Sequence, residues 1–87
     1  MMRRLFLLAA ALGAAGTVAA ARPIFVLNSL DASVSVIDAG TMSETQRIPV
    51  GKEPHHLYLT PDEKSLIVAN AAGNSLTFLD PTSGAVQ

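Results

Sequence analysis

A pattern in this chain returns after 42 positions and sets what it can fold into. Ile24-Phe25-Val26-Leu27-Asn28 is an unbroken apolar run closed by Asn, and Leu66-Ile67-Val68-Ala69-Asn70 repeats it. Ser33 to Asp38 follows the first run, and Ser75 to Asp80 follows the second at the same offset, with no gap. Val26, Asn28, Ser33 and Asp38 recur as identities, and apolar residues meet apolar residues at Ile24/Leu66, Phe25/Ile67, Val34/Leu76, Val36/Phe78 and Ile37/Leu79. A short continuous apolar run suits a strand buried on both faces. The alternating Ser33-Val34-Ser35-Val36-Ile37 suits a strand covered on one.

Two further strands are expected between the matching pairs. Glu44 to Val50 is a polar strand containing Pro49, which cannot donate a ladder hydrogen bond and therefore belongs at a sheet edge. His55 to Thr60 is the next, entered from the loop Gly51-Lys52-Glu53-Pro54 and followed by a turn, Pro61 to Ser65, with Pro in a position where its fixed φ costs nothing. Asn28 to Ala32 reads as a further turn. A period of about 40–45 residues holding four strands is the signature of propeller blades. The fold class expected is all-β, built from four-stranded antiparallel blades, with residues 22–87 supplying about one and a half of them. Unpaired strands and uncovered faces would follow, so the sequence reads as an N-terminal portion of a longer protein.

Residues 1–21 are of another kind. Met1-Met2-Arg3-Arg4 is basic, Leu5 to Leu12 is apolar, and small residues run to Val18-Ala19-Ala20-Ala21. Those three regions in that order are the layout of a cleavable export signal, with small side chains placed for cleavage after Ala20 or Ala21. A retained anchor is the alternative, but a spanning helix needs roughly 20 strongly apolar residues, and this stretch is largely Ala interrupted by Gly13, Gly16 and Thr17. Arg3-Arg4-Leu5-Phe6-Leu7 also resembles the twin-arginine export motif, with Met2 and Leu8 departing from its usual residues. Either route places the protein in the periplasm, in contact with a membrane only through the uncleaved leader.

Beyond the leader, four basic residues stand against seven acidic ones, so a net basic surface for nucleic acid is not available. The chain has no Cys, which excludes disulfides, thiolate metal sites and cysteine nucleophiles within it. It also lacks a phosphate-binding loop, a zinc spacing and a hydrolase elbow.

The repeated residues resemble the YVTN-type β-propeller repeat family. Its tetrapeptide is matched by Phe25-Val26-Leu27-Asn28 and Ile67-Val68-Ala69-Asn70. Its Val-Ser-Val-Ile-Asp strand is matched by Val34 to Asp38, and loosely by Leu76 to Asp80. Ile48-Pro49-Val50-Gly51, Pro54-His55 and Thr60-Pro61-Asp62 match its connecting elements. Glu63 stands where that family's turn usually has Gly, and His56 where Gly is common. The resemblance implies a ring of roughly seven or eight blades, with His55 to Thr60 as an innermost strand lining a central channel.

His55 and His56 are the only evident ligand pair. Neighbours in a strand point to opposite faces, which opposes joint ligation of one metal, and the resemblance assigns His55 to the turn into the inner strand. A metal or haem-type cofactor at the channel mouth is the alternative role for either residue. Asp38 and Asp80 end equivalent strands, where a carboxylate accepts turn N–H groups. Asn28 and Asn70 read in the same way, as turn residues capping backbone groups. No catalytic residue is identified and no cofactor is specified. The function expected is a non-catalytic exported binding or scaffold module, taking a protein or small-molecule ligand at its loops or channel mouth. The alternative is a quinoprotein- or haem-associated propeller subunit of a periplasmic oxidoreductase. Fold alone does not decide between them.

Overall fold

The computed structural model describes residues 22–87; the expected export leader, 1–21, lies outside the described residues. Six strands form in chain order: β1 (Ile24–Asn28), β2 (Ser33–Asp38), β3 (Ser43–Pro49), β4 (Pro54–Leu59), β5 (Leu66–Asn70) and β6 (Ser75–Leu79). A single 3₁₀ turn, Ser29–Asp31, lies between β1 and β2. The strands pair antiparallel in two three-stranded sheets, β1-β2-β3 and β4-β5-β6. Pro49 closes β3, an edge strand, so its missing donor faces no partner.

The register explains which residues meet. Phe25 lies opposite Val36, and Leu27 opposite Val34, which in turn lies opposite Ile48, so these five share one face of the first sheet. In the second sheet Leu66 lies between Leu59 and Leu79, and Val68 between Leu57 and Thr77. The two faces pack on one another. Val34, Val36 and Ile48 join Leu66, Val68 and Leu79 in a single buried cluster flanked by Phe25, Leu27, Val50 and Leu57.

This corrects the expectation that Ile24 to Asn28 is buried on both faces. Ile24 and Val26 are 40% and 43% exposed, because among the described residues no sheet covers the other side of β1. Their counterparts Leu66 and Val68 are buried, since the first sheet lies over them. Equivalent sequences thus have different burial, and position in the stack decides it.

The turns repeat as closely as the strands. Asp38 Oδ1 accepts the N–H groups of Gly40 and Thr41 at 2.7 and 2.9 Å. Asp80 Oδ1 accepts those of Thr82 and Ser83, both at 2.8 Å. Both carboxyls are therefore held below the usual carboxylate range by backbone donors. The same turns close through Met42 N–H to the Asp38 carbonyl and Gly84 N–H to the Asp80 carbonyl. Met42 and Gly84 occupy matching positions, at φ +58° and +78°. Gly84 is required twice over, since a Cβ there would approach Ile48 Cδ1 to 3.0 Å. Met42 adopts the left-handed conformation at full cost while its side chain extends into solvent.

Met42→Gly is therefore expected to raise stability by about 1 kcal/mol, the left-handed penalty reduced by the added freedom of the unfolded chain. Urea unfolding measures it, and an unchanged or lower midpoint would contradict the assignment. A second expectation concerns pH. Carboxyls with lowered folded-state pKa values stabilise fully above the ordinary carboxylate range, and that contribution is lost as pH falls through the lowered value. Asn at 38 and 80 keeps an acceptor oxygen but does not titrate. Asp38→Asn/Asp80→Asn should melt below the parent at neutral pH, with the gap closing in acid, as read by thermal melts across the acid range.

Candidate functional site

Three connections converge at one end of the two sheets: the β1–β2 turn, the β3–β4 loop and the β5–β6 turn. The middle one is bonded to both others. Val50 N–H donates to the Ala32 carbonyl at 2.9 Å, and Ser29 Oγ donates to the Pro54 carbonyl at 2.7 Å. On the other side Ala71 N–H reaches the Glu53 carbonyl at 2.9 Å, and Ala72 N–H reaches that of Lys52 at 3.3 Å. The backbone of residues 50–54 is thus fixed as a rigid bridge between the sheets.

Close approach is what requires glycine here. A Cβ on Gly51 would lie 2.7 Å from Asn70 Cγ, and one on Gly73 would lie 3.0 Å from the Lys52 nitrogen. Asn70 cannot easily give way. It is 2% exposed, and its Nδ2 donates to Ser75 Oγ and Thr77 Oγ1 at 3.1 and 3.0 Å. Asn28 makes the same pair of bonds, to Ser33 Oγ and Ser35 Oγ. The recurring asparagines therefore bridge to side-chain hydroxyls of the next strand rather than capping backbone groups.

In the first sheet these hydroxyls continue into a charged network. Ser33 Oγ donates to Asp31 Oδ2 and Ser35 Oγ to Glu44 Oε2. Arg47 binds both carboxylates, each at 3.0 Å. Hydroxyl donors first, then the guanidinium, hold Asp31 and Glu44 below the ordinary carboxylate range, and the two carboxylates raise Arg47. The charged groups of this network are exposed, while the Ser33 and Ser35 hydroxyls beneath them are buried.

An open cleft of about 390 Å³ lies at this end, lined by Ser29, Leu30, Ala32, Lys52 and Glu53. Leu30, at the tip of the 3₁₀ turn, is fully exposed. Apolar surface from Leu30 and Ala32 beside one ammonium and one carboxylate suits a small amphipathic ligand bearing both charges. From sequence, Lys52-Glu53 reads as a solvated mixed-charge turn, and Ser29, Leu30 and Ala32 carry no functional signal. The one local irregularity is Leu30, an apolar residue in a polar turn.

His55 and His56 both stand exposed at the start of β4. Pro54 pairs with Asn70 and His56 with Ala69, so the strand bulges and His55 has no partner across the ladder. The simple alternation expected for this pair is broken there. His55 Nε2 lies 3.9 Å from Glu53 Oε1, beside the cleft-lining loop, whereas His56 shares the other, open face of the second sheet with Tyr58 and Ile67 by strand alternation. Among the described residues no group of three or more His, Asp or Glu is placed to hold a metal ion. Asp62 belongs to the Pro61 turn, where the Thr60 hydroxyl and Lys64 N–H lower its pKa. Glu63 sits at φ +59°, in the conformation for which the resembling repeats use Gly, and pairs with Arg22 at 2.7 Å.

Gly51→Ala is expected to cost about 1–3 kcal/mol through overpacking against Asn70. Chemical denaturation measures this, and a loss below that range would show that Asn70 moves aside.

A family model described as a YNCE-like beta-propeller matches residues 6–87, taking in both sheets and every connection between them. No curated protein matches the chain. With sheets that repeat every 42 residues and stack face to face, the chain belongs to the YNCE-like β-propeller family.

Proposed function

We propose that this chain is part of an exported, periplasmic propeller of the YVTN type, with four-stranded blades, that acts as a non-catalytic binding module. The observation that carries the reading is the loop-end cleft, where a rigid bridge presents Lys52 and Glu53 beside the exposed Leu30. Its ligand is a small zwitterionic molecule with an apolar body, such as a short apolar peptide. Asp38, Asp62 and Asp80 are engaged by donors of their own turns, and Asp31 and Glu44 by Arg47. None of these carboxylates is buried or paired with another in a way that tunes it for acid–base work.

The periplasmic assignment rests on the leader, with Arg3-Arg4 ahead of an apolar core and small residues up to Ala21. The YVTN assignment rests on the two tetrapeptides and on Ile48 to Gly51. The fourth strand of the second blade is supported by Val86, which bridges Leu79 on the free side of β6.

Amide-resolved NMR titration with the tripeptide Leu-Ala-Leu tests the binding reading. Saturable shifts at Leu30, Ala32, Lys52 and Glu53, abolished by Lys52→Ala, are expected. Shifts absent at millimolar peptide, with zinc or haem perturbing His55 and His56 instead, would favour a cofactor-bearing oxidoreductase subunit.

A further inference from the structure

Among the described residues five non-glycine positions hold left-handed backbone: Ala32, Met42, Glu53, Glu63 and Asn74. Met42 and Glu63 stand on turns at the other end of the strands, whereas Ala32 and Glu53 line the loop-end cleft. Ala32 has φ +50° and ψ +47° where the 3₁₀ turn passes into β2. Its carbonyl accepts Val50 N–H, so the bridge between the sheets holds it in that conformation. The counterpart 42 residues on is Asn74, at φ +51°. Asn enters this region at lower cost, because its short amide bonds to nearby backbone, whereas Ala meets the full clash of its Cβ with the carbonyl. The same bend is thus made from a favoured residue in the second sheet and from a disfavoured one at the cleft. Local strain held at a binding surface marks a side chain chosen for that surface rather than for the fold.

On the reading of this cleft as the binding site, we infer that Ala32 sets its specificity: the methyl group, beside Leu30, selects zwitterions with an aliphatic body over those with a polar one. The surrounding charges are already committed. The Asp31 carboxylate is turned to Ser33 and Arg47, and Ser29 Oγ donates to the Pro54 carbonyl. Lys52 and Glu53 supply the two signs at the cleft, and His55 Nε2 lies 3.9 Å from Glu53 Oε1. The apolar lining is therefore Leu30 and Ala32 alone. The amide that the repeat uses at position 74 would, at position 32, put a donor and an acceptor into that lining. An aliphatic ligand covering them would leave both without partners, whereas a ligand with amide side chains would satisfy them.

Amide-resolved NMR titrations of the full chain with the tripeptides Leu-Ala-Leu and Gln-Ala-Gln test this, beside thermal melts of the same samples. The parent should prefer Leu-Ala-Leu. Ala32→Asn should weaken that peptide by about tenfold or more while keeping its affinity for Gln-Ala-Gln, so that the preference is lost or reversed. Ala32→Gly relieves the same strain without adding an amide, and should weaken Leu-Ala-Leu by only about fourfold, the loss of one methyl contact. Both variants should melt above the parent, since Gly and Asn suit left-handed backbone better than Ala. A parent that prefers Leu-Ala-Leu and an Asn variant that binds it equally well would overturn the role of Ala32 and leave the cleft standing. Equal loss in the Gly and Asn variants would overturn it too, by showing that the amide is not what matters. Melting at or below the parent in both variants would refute the strain at position 32. A parent whose Leu30, Lys52 and Glu53 amides do not shift with either peptide would instead remove the cleft as a binding site, and the selectivity with it.

Discussion

Val34, Val36 and Ile48 packed against Leu66, Val68 and Leu79 hold the two sheets together, and the loops take their places from that contact. A three-stranded sheet satisfies its inner backbone groups but needs an apolar partner for one face to be independently stable. Here each sheet supplies that partner for the other. The packing also fixes the spacing between the sheets, and with it the 50–54 bridge, whose hydrogen bonds reach turns in both. Val34, Val68 and Leu79 are wholly buried, so truncating any of them would leave a cavity at the centre of the only apolar cluster among the described residues.

Repetition in sequence does not produce repetition in environment. Asn28 and Asn70 make the same two hydroxyl bonds, yet Asn70 is enclosed by the Gly51 loop with its Oδ1 unpartnered, while Asn28 lies beside an open network. The two hydroxyls bonded to Asn28 donate hydrogen bonds to Asp31 and Glu44. Positions 73 and 86, 42 residues further on, carry Gly73 and Val86, so no such acceptors exist in the second sheet. Charge stands on the open face, and small or apolar residues stand at the equivalent positions beside the internal interface and the Leu79–Val86 bridge. Met42 and Gly84 show the same division: one turn is free in solvent and carries a side chain, whereas the other presses on Ile48 and cannot.

The strands were legible because they follow from local alternation and from a period that can be counted, whereas the four-stranded blades expected from that period stand as two three-stranded sheets among the described residues. Leu66 to Asn70 is a strand with the bounds its apolar run predicts, and Asp38 and Asp80 hold their turns as a short carboxylate at a strand end should. The bulges at Val36/Ile37 and Pro54/His56 were not legible, because a bulge is a compromise between two strands and neither sequence alone records it. The bridging role of the asparagines was missed for a related reason. Their partners lie five and seven residues away across a turn, and only the recurrence of Ser or Thr at 33, 35, 75 and 77 marked them. The cleft was missed because it belongs to no single segment: its lining comes from two loops, 20 or more residues apart, that the pairing of β1, β2 and β3 brings side by side.

That origin bears on what such a site can become. Residues 50–54 are immobilised by bonds to both neighbouring turns and by the tight Gly51–Asn70 contact, so the backbone beneath Lys52 and Glu53 is set by the blade interface. The side chains of Lys52 and Glu53 take no part in those bonds, which run through main-chain atoms. The side chains presented at this end can therefore change at positions 30, 52 and 53 without disturbing the core, whereas changes at Gly51 or Asn70 strike at the stacking itself. A repeat that separates its structural bonds from its presented side chains in this way is suited to carry different binding surfaces on one scaffold. The matching motif in the fold locates the loop end, and the identities of Leu30, Lys52 and Glu53 give that end its particular chemistry.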